Sequence, residues 1–582
     1  MKRIFTFLML VLSYSAMSQN LFPPLDTNYR AREIRVASTL KMDVLFEGNR
    51  DFVWDATTRQ YAVSKTWHDF TGLVPLGTGN DSCLLIVNHE MRGGYFGIKS
   101  TVLGDGGGMT VFRVNKNATT GRWAMTPYKG QNFWNVDFRP VRGTYTNCAG
   151  VTLPVSGQFM TSEEVTPVNN AAITGAFNDT TDVVIPSGPF KGRTLKAFQN
   201  YGWMVTVDAP NAKALYKSYA MGRAGWEGGW ATPDGKHVYL MADETPAALI
   251  RFEADTTFKY EYGKIQAYKQ SSDGKGGSWL DIPRDWDSLY NCQAVAMRRG
   301  ATLFTRLEWA VGKGSKVYLA ETGNDISNYK PGVALGGVPS LHFQIADTLG
   351  GTIKNDTVND FYGRVLELDL TSNALRPFLQ GGRGAKFTFS NPDGLSIHEQ
   401  GGKTYLVVVE DLNGTSQGRS TAGGFSICEA FLVDLSIQNP TLNNMLPFVA
   451  GAQPGELTGS VSTPDGKTMF INSQHPYSNS ETGPVSGTNN PPFNNDMTFA
   501  ITGFSVTSPT KELKISDDFS VFPNPAQDVI NFNKTTDVSL YNMNGQQMRI
   551  VRNANNINVS DLNPGVYFLQ TIQGAVVKIV KQ

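Results

Sequence analysis

The residues of this chain that could do chemistry are acids and amides that follow short apolar strands. Five strand ends carry such side chains: Asn88-His89-Glu90, Asp243-Glu244, Glu321, Glu410-Asp411 and Gln474-His475. Carboxylates gathered in one place repel one another unless they take up protons or bind cations. Oxygen donors of this kind are the ligands that calcium prefers. If the fold brings these strand ends together, we expect a cation-binding site there.

A loose repeat predicts the elements that position these residues. One part is an alternating strand, found at 201–209, 248–255 and 362–370. The other part is a Pro-Asp-Gly turn followed by a strand, at 232–244, 391–411 and 462–476. Proline fixes φ and glycine accepts positive φ, so Pro-Asp-Gly favours a tight turn, which Asp234 and Asp465 would cap. The strands at 81–90 and 314–322 resemble the second part without its turn.

Recurrent short strands without helical periodicity indicate an all-β fold. We predict a β-propeller of about six blades, or failing that stacked sandwiches. In a propeller the innermost strands converge on the axis. We assign the strands that end in acids to this innermost position, so that their last residues line a central funnel.

The composition excludes several classes of protein. The 582 residues exceed what one compact core usually holds, so at least two units are expected. Its 51 basic and 51 acidic residues balance, and no Lys/Arg stripe offers the electrostatic footprint of a nucleic-acid partner.

Four cysteines in an exported chain predict a disulfide by default, with three pairings open for Cys83, Cys148, Cys292 and Cys428.

The N-terminus has the pattern of a secretory signal peptide over residues 1–18. Lys2 and Arg3 precede an apolar run, and Ala16-Met17-Ser18 offers a cleavage site with small residues. No other stretch is long and apolar enough to predict a transmembrane segment. The propeller is expected over residues 19–506, and the mature protein should be secreted or attached to the outer-membrane surface.

The last residues predict a separate unit. A linker at 507–516 precedes short strands with Asn-Gly and Asn-Pro-Gly turns at 517–582, enough for a small β-sandwich. The phrases "FPNPA", "LYNMNGQ" and "LNPGVYFLQ" resemble the C-terminal sorting domain of cargo for the type IX secretion system. The resemblance implies export to the periplasm, passage across the outer membrane by the type IX machinery, and removal of the tail.

Six islands of sequence form a second pattern in the first unit. In order they are "NHE" (88–90), "NCAGVTLPVSGQFMTSEE" (147–164), "GRAGWEGG" (222–229), "RLEW" (306–309), "YLAET" (318–322) and "GELTGSVSTPDGKTMFINSQHP" (455–476). Together they resemble the PhoX-type alkaline phosphatases, which are secreted phosphomonoesterases with a propeller fold. The resemblance implies hydrolysis of small phosphorylated substrates at a cluster of calcium and iron (Ca²⁺ and Fe³⁺), in a chain that we expect to be a monomer.

The resemblance also implies roles for particular residues. Cys148 matches the cysteine that binds iron, and Arg306 matches the arginine expected to contact phosphate. Glu308 follows Arg306 in the same motif and is assigned both to catalysis and to metal binding. The remaining metal ligands implied are Glu90, Glu163, Glu164, Glu227, Asp243, Glu321, Asp411 and Glu456.

Several alternatives stay open at this point. Cys148 could form a disulfide, Arg306 could form a structural ion pair, and His89 and His475 could anchor loops. The family's two tryptophans are missing from the segment 152–160, so the substrate pocket is expected to differ. Two other functions fit an acidic funnel: a calcium-dependent hydrolase of lactonase or phosphotriesterase type, and a non-catalytic surface-binding propeller.

Overall fold

The computed structural model of this protein divides by its internal contacts into a unit spanning Leu21–Val506 and a unit containing residues 507–582. The structure describes residues 22–23, 25, 33–92, 102–104, 106–173, 181–323, 353–354, 357–358, 362–383, 388–411, 428–452, 455–476, 492–504, 519–542, 547–571 and 576–582. The predicted signal peptide and the predicted linker lie outside these residues. No helix in this described part of the chain is long and apolar enough to cross a membrane.

The described residues of the first unit form six sheets of four or more strands, which we call blades 1 to 6. Their strands pair antiparallel, apart from one parallel pair in blade 1. Blade 1 consists of β5 (His68–Pro75), β6 (Ser82–His89), β7 (Gly108–Lys116), β8 (Trp123–Thr126), β9 (Phe133–Asn135), β3 (Phe52–Asp55) and β4 (Gln60–Val63). Blade 2 consists of β10 (Asn147–Thr152), β11 (Gln158–Glu163), β14 (Met204–Asp208) and β15 (Lys213–Lys217). Blade 3 consists of β16 (Trp226–Ala231), β17 (His237–Ala242), β19 (Ile250–Thr256), β20 (Lys259–Gln270) and β21 (Gly277–Asp281).

The other three blades complete the set. Blade 4 consists of β23 (Leu307–Lys313), β24 (Lys316–Glu321), β27 (Arg364–Asp369) and β28 (Leu375–Gln380). Blade 5 consists of β31 (Pro392–Gln400), β32 (Lys403–Glu410), β33 (Glu429–Asp434), β34 (Met445–Ala450) and β1 (Arg35–Val36). Blade 6 consists of β35 (Glu456–Ser462), β36 (Thr468–Gln474), β37 (Met497–Thr502) and β2 (Lys41–Glu47).

Small elements lie within and between the blades. Four two-stranded sheets pair β12 (Val183–Val184) with β13 (Thr194–Leu195), β18 (Ala247–Ala248) with β22 (Leu303–Phe304), β25 (Ile353–Lys354) with β26 (Thr357–Val358), and β29 (Gly382–Arg383) with β30 (Thr388–Phe389). Two short helices, α1 (Trp286–Tyr290) and α2 (Cys292–Arg298), follow blade 3.

The six blades close into a ring, which confirms the predicted propeller. The first strands of successive blades contact one another in the order β5, β10, β16, β23, β31, β35, and β35 contacts β5 again. These six strands therefore surround a common axis. The N-terminal β2 pairs with the C-terminal β37 from Lys41 to Glu47, so that one blade is shared between both ends of the unit.

The structure corrects two details of the predicted repeat. The strands ending at His89, Ala242, Glu321, Glu410 and Gln474 are the second strands of their blades, while the innermost strand is the one before each of them. Pro-Asp-Gly forms the predicted turn near Asp234 and Asp465, whose side chains accept from the backbone of Lys236 and Lys467. At Pro392, however, the same three letters begin β31, because that segment pairs with β32.

Apolar side chains on both faces of the strands explain why the blades pack side by side. Trp226, Leu240 and Leu319, from blades 3 and 4, belong to one buried cluster that also includes Met204 of blade 2. Such two-sided burial is typical of strands that lie between neighbouring layers. Near the axis the innermost strand runs so close to its partner that a Cβ on Gly229 would lie 2.2 Å from the Tyr239 carbonyl oxygen.

The second unit is a five-stranded sheet with its own core. Its strands are β38 (Val521–Phe522), β39 (Val529–Asn542), β40 (Gln547–Asn558), β41 (Gly565–Thr571) and β42 (Val576–Lys581). The long β39 pairs with β38, β40 and β41. Phe519, Ile530, Leu540 and Leu569 are buried together within this unit. The predicted separate β-unit is therefore present, as one connected sheet.

Blade 5 buries a histidine whose protonation should make stability depend on pH. Nδ1 of His398 lies 2.9 Å from the Ser462 hydroxyl, and its ring centroid lies 4.7 Å from that of Phe504. Burial lowers the pKa of His398 to about 4. In the unfolded chain the pKa should be about 6.5, so only the unfolded state gains a proton as the pH falls below that value.

We therefore predict that His398 destabilises the fold progressively from about pH 6.5 down to pH 4, by up to about 3 kcal/mol, and contributes nothing above that range. Urea unfolding at pH 7.5 and pH 5 would measure this loss. His398→Phe should lose less stability over that pH interval than the wild type. Equal pH dependence in the two proteins would contradict the prediction.

Candidate metal centre

Each of the first five blades repeats one local distortion where its innermost strand approaches the axis. In blade 2, Asn147 pairs with Glu163, but the next pair joins Gly150 to Thr161, so the innermost strand carries one extra residue. The same shift follows His68, Trp226, Leu307 and Pro392 in the other four blades. A β-bulge of this kind re-aims the side chains beside it. In blade 6 the shift comes later, after Thr458.

A repeated backbone hydrogen bond fixes the chain just before each bulge. The N–H of Glu164 donates to the Thr146 carbonyl at 3.1 Å, and equivalent bonds join Glu90 to Trp67, Asp243 to Gly225, Thr322 to Arg306 and Asp411 to Asn391. Four of these acceptors adopt left-handed backbone conformations, with φ of 54° at Trp67, 46° at Thr146, 57° at Arg306 and 50° at Asn391. This conformation is unfavourable for residues other than glycine and is concentrated at functional sites.

The residue two positions after each acceptor forms what we call the strand ring. Its members lie on the innermost strands of blades 1 to 5 and are Asp69, Cys148, Glu227, Glu308 and Asp393. All five are buried. In blade 6 the second residue of the innermost strand is Leu457, so this blade supplies no acid to the ring.

The residues that donate the repeated hydrogen bond form a second set, which we call the loop ring. They immediately follow the second strand of each blade and are Glu90, Glu164, Asp243 and Asp411 in blades 1, 2, 3 and 5. Blade 4 has Thr322 at this position, and its hydroxyl donates to the Pro392 carbonyl. Blade 6 has His475, whose backbone N–H donates to Asp496 at 2.9 Å instead.

The two rings bring their ligand atoms close together. In each of four overlapping groups of residues, the ligand atoms lie within 4.8 Å of one another. The groups are Asp69, Cys148 and Glu227; Glu90, Cys148 and Glu164; Glu164, Glu227 and Asp243; and Glu227, Glu308 and Asp393. The Cys148 thiol donates to Glu227 Oε1 at 2.6 Å, and Oδ2 of Asp69 lies 3.3 Å from the same sulfur. Cys148 is the one sulfur donor in these four groups and takes part in two of them.

The electrostatics show how unfavourable this arrangement is for ionised groups. Burial, followed by the charges of Glu164 and Asp411, raises the pKa of Asp69 to about 7. Burial and neighbouring carboxylates likewise raise the pKa values of Glu90, Glu227, Glu308 and Asp393 well above their usual range. The same causes raise the pKa of the Cys148 thiol well above its ordinary value. These groups hold protons unless cations replace them.

The donor set fits metal ions. Within the described residues, Oδ1 of Asp69, Oε2 of Glu164 and Oδ1 of Asp393 are buried and have no hydrogen-bond partner. Buried polar atoms are normally satisfied, so unsatisfied carboxylate oxygens at a shared centre indicate ligands for a cation. Carboxylate oxygens suit calcium, and the addition of one thiolate suits a transition metal.

Arg306 is placed against this centre from the side of blades 3 to 5. Its guanidinium donates to Asp243 at 2.7 and 3.0 Å, and lies 3.0 Å from Glu308 and 3.3 Å from Asp411. Burial alone would lower the pKa of Arg306, but these three carboxylates hold it well above its usual value. The guanidinium remains a cation at the edge of the two rings.

Two of the ligands predicted from sequence lie away from the centre, inside their blades. Glu163 pairs with the buried Lys217 at 2.8 Å and accepts from the backbone of Gly202 and Trp203. Glu321 pairs with the buried Arg364 at 2.6 Å. Each is the last residue of a second strand, so its side chain points opposite to the residue after it. The structure therefore places them as supports of the blade.

Another ligand predicted from sequence, Glu456, lies beside His475. Its Oε1 is 3.6 Å from Nε2 of His475, and it belongs to none of the four ligand groups among the described residues. His475 packs edge-on against Trp67, with ring centroids 4.7 Å apart, and has a left-handed backbone with φ of 52°. Burial lowers the pKa of His475 to about 4.

The sequence reasoning missed Asp69 and Asp393. Asp69 lies in "HDFTG", outside the six islands of sequence, and the Pro-Asp-Gly pattern predicts a turn at Asp393. The missed signal was the spacing: each strand-ring residue lies two positions after a residue that is fixed by the loop ring.

Cys83, Cys148 and Cys292 are free, buried thiols, so the predicted disulfide is not formed.

Comparison with known proteins assigns the chain to a family. Residues 39–477 match the family described as alkaline phosphatase PhoX. Residues 520–582 match the secretion system C-terminal sorting domain, which marks a secreted or cell-surface protein. No curated protein sequence matches the chain.

One solved structure supports the fold. The PhoX of Pseudomonas fluorescens in complex with vanadate, a transition state analogue, is similar with a TM-score of 0.61 and 19% identity, over 83% of this chain and 97% of that one. The Dos1 propeller is far less similar, with a TM-score of 0.28 and 11% identity over 77% of this chain and 72% of that one. The match over residues 39–477 shows that the chain belongs to the PhoX alkaline phosphatase family.

Proposed function

We propose that this protein is a secreted phosphatase that hydrolyses small phosphate monoesters at a calcium- and iron-containing centre on the propeller axis. One observation carries the proposal: a thiol and seven carboxyl groups from five blades place ligand atoms within 4.8 Å of one another in overlapping groups. Hydrolysis of phosphate monoesters is extremely slow without a catalyst, and clustered cations are an effective way to stabilise the charge involved.

We assign the metals by the softness of the donors. The iron would be held around Cys148 by Asp69, Glu90, Glu164 and Glu227, because only the two groups that these residues form with Cys148 contain a thiolate. Calcium would be held where the donors are oxygens alone, at Glu227, Glu308 and Asp393, and at Glu164 and Asp243. When bound, these cations supply the positive charge that attracts a phosphate dianion and polarises its phosphorus.

The protein's own residues orient the substrate. Arg306 is fixed by Asp243, Glu308 and Asp411, so its guanidinium is positioned before substrate arrives. A guanidinium can donate two parallel hydrogen bonds to phosphate, which the ammonium of lysine cannot reproduce. Glu308 connects both functions, because it contacts Arg306 and belongs to the oxygen-only ligand group with Asp393.

The route of export is part of the proposal. The N-terminal signal would direct the chain to the periplasm, and the sorting domain would direct it to the type IX machinery for passage across the outer membrane. The tail would then be removed. The metals would be acquired after translocation, and the enzyme would act as a monomer on phosphorylated molecules outside the cell.

The first test is metal-dependent turnover. We expect the purified protein to hydrolyse p-nitrophenyl phosphate at alkaline pH in the presence of calcium, and to lose this activity when a chelator is added. The control substrates are a phosphotriester and a lactone, neither of which should be cleaved. Turnover of either of these, with none of the monoester, would favour the other calcium-dependent hydrolases.

The second test removes the sulfur ligand. Cys148→Ser should lower the bound iron measured by elemental analysis, and should reduce turnover by more than about 100-fold. Mutating a residue that only supports a metal ligand costs about 10- to 100-fold in activity, and removing the ligand itself should cost more. Cys292→Ser is the control, since Cys292 is buried at α2, outside the four ligand groups. If Cys148→Ser retained iron and activity, the assignment of the thiolate would be wrong.

The third test uses two adjacent glutamates. Glu164→Gln should lose metal and activity with little loss of stability in the metal-free protein. Glu163→Gln should keep its metal but lose about 3–5 kcal/mol of stability, since it leaves the buried Lys217 without its counter-ion. Metal content and urea unfolding measure the two effects. The reverse pattern would show that Glu163, not Glu164, holds the metal.

A further inference from the structure

Asn88 connects blade 1 to the strand of blade 2 that carries Cys148. It lies near the end of β6, two residues before Glu90 of the loop ring. Its side-chain amide donates to the carbonyls of Cys148 and Ala149, at 2.8 Å for Ala149, and its Nδ2 lies 3.0 Å from the Thr161 hydroxyl. Asn88 is fully buried, so these hydrogen bonds form away from solvent.

The bulge of blade 2 creates the need for this amide. The register between β10 and β11 shifts between Asn147 and Gly150, so that Cys148 and Ala149 lie between two regular pairs. A bulge disrupts the ladder of hydrogen bonds, and buried backbone carbonyls require donors. Because Asn88 donates to both carbonyls, a side chain of one blade holds the backbone that carries the sulfur in the next.

Two other ligand residues are held in the same way from the blade before them. The amide of Asn472, on the second strand of blade 6, donates to the Asp69 carbonyl. The hydroxyl of Ser162, on the second strand of blade 2, lies within hydrogen-bond distance of the Glu227 carbonyl. Asp69, Cys148 and Glu227 form one of the four ligand groups. The carbonyl of every member of this group is therefore contacted by a side-chain donor of the preceding blade.

Blades 3 and 4 carry apolar side chains at the position of Asn88. This position lies two residues before the loop ring, and it is occupied by Met241 and Ala320, whose side chains have no hydrogen-bond donor. The blades that follow them supply Glu308 and Asp393, which belong to an oxygen-only ligand group. Calcium accepts a flexible geometry, whereas transition metals prefer particular geometries. The polar support thus occurs where the donors suit a transition metal.

We propose that Asn88 is a positioning residue for the thiolate of Cys148, because its amide holds the bulge carbonyls and so orients the sulfur towards a transition metal. The inference rests on the proposed function, which assigns iron to this sulfur. Another observation favours a role beyond stability: Oδ1 of Asn88 is buried and has no hydrogen-bond partner within the described residues. An unsatisfied buried oxygen is unfavourable, so stability alone does not explain an asparagine here.

The test compares variants of the purified full-length protein. Bound iron and calcium are measured by elemental analysis as a chelator is titrated, and the visible absorption band that arises from charge transfer between thiolate and iron is recorded. Asn88→Leu has a similar size but no donor. It should weaken iron retention about 10- to 100-fold, the range for residues that support metal ligands, and shift the absorption band, while calcium is retained as in the wild type.

A second variant keeps a donor at the same position. Ser162 occupies the corresponding position of blade 2, where its hydroxyl lies within hydrogen-bond distance of the Ala149 and Glu227 carbonyls. Asn88→Ser should therefore recover part of the iron retention and part of the absorption band. If Asn88→Leu does not fold, the comparison of Asn88→Ser with the wild type decides, and its iron retention should be lower than that of the wild type.

The matched control is Asn200→Leu. Asn200 is also buried, and its amide donates to two successive carbonyls, those of Val141 and Arg142, at 3.1 and 3.3 Å. It belongs to none of the four ligand groups. Asn200→Leu should lower stability in urea unfolding and leave the iron, the calcium and the absorption band unchanged.

Each outcome decides the matter. The inference is overturned if the Asn88 variant tested holds iron and absorbs light as the wild type does, if it loses calcium in parallel with iron, or if the wild type holds no iron on sulfur. Turnover of p-nitrophenyl phosphate by the wild type is measured separately. Iron whose retention depends on Asn88, in a protein that does not hydrolyse the ester, would overturn the proposed function and leave this inference standing.

Discussion

Repulsion among buried carboxyl groups is the constraint on which the rest of this structure depends. Asp69, Glu227, Glu308 and Asp393 are all buried near one axis, and their pKa values rise because neither water nor enough positive charge surrounds them. A fold can keep such groups together only if protons or cations neutralise them. The unsatisfied carboxylate oxygens of Asp69 and Asp393 are consistent with cations.

The propeller provides this arrangement by repeating one local geometry five times. A left-handed residue or glycine, a bulge and one backbone hydrogen bond set the position of each strand-ring residue, as at Thr146, Cys148 and Glu164 in blade 2. Positive φ at non-glycine residues costs free energy, which the surrounding hydrogen bonds and packing must offset. Because the device is repeated, ligands far apart in sequence meet at one point without a long loop to carry any of them.

Departures from the repeat make the centre asymmetric. Blade 6 has Leu457 and His475 at the two ring positions, whereas each of the other blades has an acid at one or both, so the carboxyl groups of the rings come from blades 1 to 5. Blade 4 has Arg306 at the left-handed position, which converts a structural site into a cationic one. Under the proposed function, these substitutions and the sulfur of Cys148 would turn a symmetric acidic funnel into a site with distinct places for different cations and for an anionic substrate.

The sequence is enough to predict the all-β repeat and the C-terminal unit, and the family resemblance brings Cys148, Glu164, Glu227, Asp243, Glu308 and Arg306 into the list of candidates, whose side chains the structure places near one another. Only the tertiary structure separated Glu163 from Glu164, brought in Asp69, and showed Asp393 on a strand rather than in a turn. The reason is physical. Neighbouring residues of a strand face opposite ways, and which of them faces the axis depends on the register and the bulge, which pairing between strands sets.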